Sequence, residues 1–339
     1  MNCGVKPMPS FMNTFTSKKF IIISVVTFFI VAFLGLFLGS VWISPQNVIV
    51  ALFNPDSING RIIYSVRIPR VIATLIAGGA LAIAGTIIQA ILHNPLASPN
   101  IIGVNSGALF GIVLFSSLIP GLTGIKAIIP SFLGGLIAGF IIMLLSKKVG
   151  SSRITLVLGG IAINSLFQAL VDLILELNPD ALPYSQAFRV GSASGITLQM
   201  IWPFIIIVIV GFILALLLAK GLDIYKLGDD IAQSLGLNVK TYRLLALLLA
   251  CVLASAAVSY MGLISFVGLI VPHIVYFFCK EKMKNMIIGS AFFGGFFLTM
   301  CDIISRLIFR PNEMPVGIIL SFIGAPFFLI LLVWRRDYD

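Results

Sequence analysis

The sequence predicts an all-α fold, a polytopic bundle of about ten transmembrane helices with both termini in the cytoplasm, and three observations predict it. Hydrophobic residues make up 59% of the chain and charged residues only 10%, for a mean hydropathy of +1.13, far outside globular usage. Apolar runs close to the roughly 20 residues that cross a bilayer's hydrocarbon core recur along the whole chain. Finally, fifteen of the 22 Lys and Arg residues fall in segments that are cytoplasmic when the N-terminus is inside, as the positive-inside rule requires.

In chain order, residues 1–19 read as a cytoplasmic tail ending in Lys18-Lys19. The run Phe20 to Leu38 is uncharged and longer than the apolar part of a signal peptide, and no small-residue cleavage site clearly follows it. Cys3 precedes that run, so a lipoprotein anchor is not expected. Residues 20–55 supply one span and then a polar outer segment with Pro45, Asn54 and Pro55. Residues 71–125 lack Asp, Glu, Lys and Arg and are too long for one helix; Pro95 and Pro99 divide them into two spans. Residues 127–146, 154–171 (running on to about Glu176) and 196–219 give one span each.

After a cytoplasmic segment at 221–240, residues 244–279 form another uncharged stretch, with Gly262 and Pro272 expected to mark where it bends and reinserts. Spans at 285–305 and 314–334 complete the domain of residues 20–334, before a cytoplasmic tail at 335–339. Trp42, Trp202 and Trp334 fall at span ends, where interfacial rings belong. Gly103, Gly107 and Gly111 recur at four-residue spacing, which lets helix backbones approach closely.

The same pattern excludes several functions. The net charge of +10 is spread in singles, pairs and triples at membrane flanks, so nucleic acid is not the expected partner. The four cysteines, Cys3, Cys251, Cys279 and Cys301, share no metal-ligand spacing, and neither a disulfide nor a metal is expected. Ion-coupled carriers keep ionisable groups near the bilayer midplane. Here Asp172, Glu176 and Asp302 are the only acids within the spans, all toward their outer ends. No Gly-x-x-x-x-Gly-Lys-[Ser/Thr] phosphate loop occurs, so an ATP-driven device would need a separate ATPase subunit. An ion-gradient-driven secondary carrier is the rival from another class.

An ATPase subunit would need a cytoplasmic dock. Within 221–240, Leu227, Ile231 and Leu235 repeat at four-residue spacing, with Ala232 among them and Gly228 and Gly236 near the two ends of the segment. That spacing predicts a short amphipathic helix fitting a partner's cleft, or an ordinary surface helix lying against the bundle.

Several blocks in order carry a family resemblance. They are Arg67-Ile68-Pro69-Arg70-Val71 with Gly78-Gly79-Ala80-Leu81-Ala82-Ile83-Ala84-Gly85 and Gln89; Asn94-Pro95-Leu96-Ala97-Ser98-Pro99 with Gly103-Val104-Asn105-Ser106-Gly107-Ala108; Leu158-Gly159-Gly160-Ile161-Ala162; and Leu227-Gly228 with Ala232 and Leu235-Gly236. Gly262-Leu263-Ile264-Ser265-Phe266-Val267-Gly268-Leu269-Ile270-Val271-Pro272-His273 and Glu313-Met314-Pro315-Val316-Gly317 with Gly324-Ala325-Pro326-Phe327-Phe328 complete them. In these the chain closely resembles the permease subunits of binding-protein-dependent ABC importers for iron-siderophore complexes, haem and cobalamin. Leu263 stands where many relatives have proline, and Lys280 where many have arginine.

The resemblance implies a type II importer in a bacterial cytoplasmic membrane. Two permeases, identical or paralogous, would have two ATPases below and a substrate-binding protein above, with ATP used by the ATPase and no cofactor held by this chain. It implies ATPase coupling through Leu227, Gly228, Ile231, Ala232, Leu235 and Gly236. Arg67, Arg70 and Arg306 would meet acidic residues of the binding protein; interfacial snorkelling, or pairing of Arg306 with Asp302 four residues earlier, are the competing readings. Gly160, Asn164 and Gln168 would lie on the pathway helix, with an interhelical hydrogen bond as the alternative for the two amides. His273 and His93 carry no expected ligand role. The expected cargo is a ferric siderophore, with haem and cobalamin as alternatives.

Overall fold

In the computed structural model, residues 17–119, 121–122, 124–149, 153–279 and 282–336 are described. The tail to residue 16 with Cys3, the residues 337–339 and Lys280 lie outside them, as do the side chains of Lys147, Lys148, Arg153 and Trp334. Among the described residues the main elements are α-helices: α1 (Ser17–Phe37), α2 (Pro45–Phe53), α3 (Ile58–Ile62), α4 (Ile68–Leu92), α5 (Val104–Leu118), α6 (Ile125–Val149), α7 (Arg153–Leu177), α8 (Leu182–Val190), α9 (Leu198–Tyr225), α10 (Asp229–Ser234), α11 (Val239–Met261), α12 (Val267–Phe278), α13 (Met283–Ile308) and α14 (Val316–Arg336). Among the described residues, seven helices are long and apolar enough to cross a membrane and three more are shorter and apolar. The ten apolar segments read from the sequence coincide with these helices.

Local chemistry sets the boundaries. Ser44 caps α2 by accepting the Asn47 N–H, with Pro45 at the first helical position, and Asn238 caps α11 by accepting from Thr241. At the end of α4, His93 takes a left-handed conformation (φ 46°) just before Asn94-Pro95. A π-helical turn, Ile63–Arg67, joins α3 to α4, so the helix that reads from residue 71 in the sequence begins one element earlier.

Three features differ from the sequence reading. Helices α2 and α8 form in stretches between the apolar segments to which the sequence reading assigned no helix; in α8, Pro183 and Arg189 interrupt the apolar pattern. Pro272 does not mark the bend: it lies inside α12, and the break is the non-helical stretch Gly262–Phe266. The coupling helix is shorter than Leu227–Leu235, because only the residues Asp229–Ser234 are helical.

Helix α4 is the axis of the bundle, buried along nearly its whole length and packed against α13, α11, α9 and α12. Gly78 and Gly294 bring α4 and α13 into backbone contact. Hydroxyl pairs Thr74–Thr299 (2.9 Å) and Thr86–Ser290 (2.8 Å) fasten the same interface. Gly107 of α5 meets Gly134 and Ala138 of α6, so the glycine spacing seen in the sequence serves helix packing. The two breaks in the bundle, residues 98–103 and 262–266, are buried or half-buried, with Gly268 against Pro99. Irregular backbone survives at that depth only where neighbours satisfy it.

Candidate functional site

The first group of predicted residues gathers at the end of the bundle where α4 begins. Arg67, Arg70 and Arg306 are 3%, 3% and 2% exposed, so they are interior side chains and do not snorkel. Arg67 is spent on the end of α1: its guanidinium donates to the carbonyls of Leu36 (2.6 Å), Phe37 (2.9 Å) and Val41 (2.7 Å). Arg306 donates to Leu38 O at 3.1 Å in the same turn. Carbonyls at a helix C-terminus lack partners and carry the negative end of the dipole, which explains two cations there.

Asp302, wholly buried, is the anion of this cluster. Arg70 reaches it through Nε (3.0 Å) and Nη2 (2.9 Å), and Arg306 lies at 3.1 Å in the i,i+4 pairing expected as one alternative. Arg70 also pairs with Glu313, in the turn between α13 and α14, and Ser40 donates to Glu313 at 2.7 Å. Burial would raise the Glu313 pKa, but hydrogen bonds from Arg70 and Ser40 and the charges of Arg70 and Arg306 hold its carboxyl below the usual range. Glu313 stands in a family block, and the sequence around it gives no sign of its ion pair because the partner is 243 residues away.

The second group divides on α7. Asn164 accepts from Ser106 Oγ (2.7 Å) and donates to the Asn100 carbonyl (3.1 Å). Gly160 is buried where any side chain would strike the Ile101 carbonyl. Both therefore brace the broken backbone at 98–103, and the interhelical alternative describes Asn164. Gln168, in contrast, donates to Asp172 at 2.8 Å near the surface, and Arg189 of α8 lies 3.9 Å from the same carboxylate.

The third group is the segment predicted to couple to an ATPase. Leu227, Ile231 and Leu235 are 56%, 51% and 60% exposed, while Ala232 is fully buried. The helix thus lays a methyl group on the bundle and turns Ile231 outward, with Leu227 and Leu235 exposed just beyond its two ends. Gly228 (φ 107°) and Gly236 (φ 85°) flank it in left-handed geometry, with open space around both. Asp229, in the first turn, forms an ion pair with Arg243 of α11 at 2.5 Å. Sequence reasoning counted Arg243 only among the positive-inside residues; its signal was an arginine inside the first turns of an apolar helix.

Comparison with known proteins follows this geometry. The profile of the FecCD transport family matches residues 27–334. The chain is similar to the iron(3+)-hydroxamate import system permease protein FhuG of Bacillus subtilis (strain 168), 34% identical over 95% of this chain and 99% of that one. It is 31% identical to the Fe(3+)-citrate import system permease protein YfmE of the same strain, covering 92% and 94% of the two chains. The hemin transport system permease protein HmuU of Yersinia pestis is 35% identical, over 80% and 83%. A solved structure described as an inward-facing metal-chelate type ABC transporter matches with a TM-score of 0.83 at 27% identity, covering 93% of this chain and 99% of its own.

Proposed function

The chain belongs to the FecCD transport family, and from that premise we propose that it is the membrane-spanning permease of an ABC importer carrying a ferric siderophore into a bacterial cell. A separate ATPase drives it and an extracellular substrate-binding protein feeds it. Two permeases, this chain with a copy or a paralogue, enclose the pathway. The names of its relatives, for iron(3+)-hydroxamate and Fe(3+)-citrate import, support the cargo class; haem is the second reading, favoured by the likeness to a hemin permease.

One observation carries the ATPase reading: the outward apolar face of α10. Three exposed aliphatic side chains, Ile231 and Leu235 between two unhindered glycines and Leu227 just before the first, are costly to leave in water, at about 25 cal/mol per Å² of apolar surface. A cleft on the ATPase removes that cost. The glycines let the helix seat without strain in the bundle.

The outer arginines enter as residues that hold the receiving surface. Acidic side chains of a binding protein would compete with Asp302 and Glu313 for Arg70, an exchange suited to a planar fork. Such contacts govern encounter and orientation more than raw affinity.

The test is retention of the ATPase during purification in detergent. Leu235→Asp and Ile231→Asp, each placing a charge in the proposed contact, should release the ATPase while the permease keeps its melting temperature. Retention at the level of the unmodified protein in both variants rejects α10 as the dock.

A further inference from the structure

A second buried polar cluster lies directly behind α10, and it runs from that helix to the end of α4. Arg243 is 4% exposed. One side of its guanidinium meets Asp229 Oδ2 at 2.5 Å, and its Nε donates to the Tyr225 hydroxyl at 2.6 Å. The guanidinium carbon also stands 5.4 Å from the centre of the Tyr225 ring, within cation–π range.

Tyr225, wholly buried as the last residue of α9, passes the connection on. Its hydroxyl lies 3.4 Å from the carbonyl of Ile91, and its own carbonyl is 3.1 Å from Nε2 of His93. The other ring nitrogen, Nδ1, lies 3.4 Å from the carbonyl of Ile91, so the imidazole sits between carbonyls of α9 and α4. Ile91 is in the last turn of α4, and His93 is its left-handed cap. The path therefore reads α10, α11, α9, α4 through four named side chains.

We propose that Arg243 is the positioning residue through which displacement of α10 reaches α4. The inference rests on α10 being the ATPase dock. Hinged by Gly228 and Gly236, α10 can rock on the buried Ala232 methyl. Apolar contact alone transmits a push, whereas the charge-assisted bonds of Arg243 also transmit a pull. Helix α4 is suited to carry the motion because packed neighbours surround it, and a close-packed interior shifts between discrete arrangements without bending. Its other end holds Arg70 and its approach holds Arg67, so a shift at His93 is felt in the outer cluster.

The ordinary alternative is that Arg243 merely stabilises α11. Two variants separate the readings within the complete transporter, reconstituted in proteoliposomes with its ATPase and binding protein and supplied with a ferric hydroxamate. Tyr225→Phe removes one hydroxyl and keeps the ring. Arg243→Lys keeps a charge beside Asp229 but loses the fork that also holds Tyr225. In both, ATPase retention and ATP hydrolysis should match the unmodified protein while iron taken up per ATP falls on the order of tenfold. Unchanged iron per ATP in both variants overturns the proposal, as does a fall that only tracks lost ATPase binding or a lowered melting temperature. Retention of the ATPase by Leu235→Asp and Ile231→Asp would sink the docking reading itself, so the two failures are distinguishable.

Discussion

Asp302 shows why single residues in this chain resist reading from sequence. As an acid in an apolar helix it reads as an outer-end group with one available partner, Arg306 four residues on. In the structure it sits without exposure between Arg306 and Arg70, the latter 232 residues away. Removing one partner of a buried ionic cluster leaves charge uncompensated, at a cost of roughly 3–5 kcal/mol. Asp302→Asn should therefore lower the melting temperature in detergent markedly, and Glu313→Gln less, because Glu313 retains about a third of its exposure. Equal losses would show that the two carboxylates are not ranked by burial. The i,i+4 pair was legible because helical periodicity fixes it; the long-range partners were not, because tertiary approach leaves no local trace.

Elements were more legible than residues. Ten apolar segments, the glycine spacing on α5 and the amphipathic segment near Leu235 all follow from period and length, and each reappears as a helix or a helix contact. What escaped were the short helices α2 and α8, whose stability is tertiary, and the place of Pro272 within α12 instead of at the break that Gly262 marks. Gly160 escaped because it serves a backbone break on another segment, whereas the interhelical hydrogen bond left open for Asn164 is the one it makes. At this scale the packing reading is directly testable. Gly107→Leu drives a side chain into Gly134 and Ala138 of α6 and should destabilise by about 1–3 kcal/mol through overpacking. Leu217→Ala, on the outward face of α9 at 71% exposure, should leave the melting temperature nearly unchanged. Indifference to both substitutions would show that the α5–α6 contact does not limit stability.

Over the whole molecule, α4 joins the two polar clusters. Its 25 residues span about 38 Å at 1.5 Å per residue, with the arginine cluster at its start and His93 with Ile91 against Tyr225 at its end. The chain surrounds this axis with apolar helices, and as a member of the FecCD transport family it is proposed to take its movement from a separate ATPase subunit. That is the central claim, and uptake of a ferric hydroxamate by proteoliposomes holding the assembled transporter and its binding protein tests it most directly. ATP supplied on the ATPase side, with no ion gradient, should drive iron uptake, and a proton or sodium gradient without ATP should drive none. Uptake that follows the ion gradient and ignores ATP would contradict it.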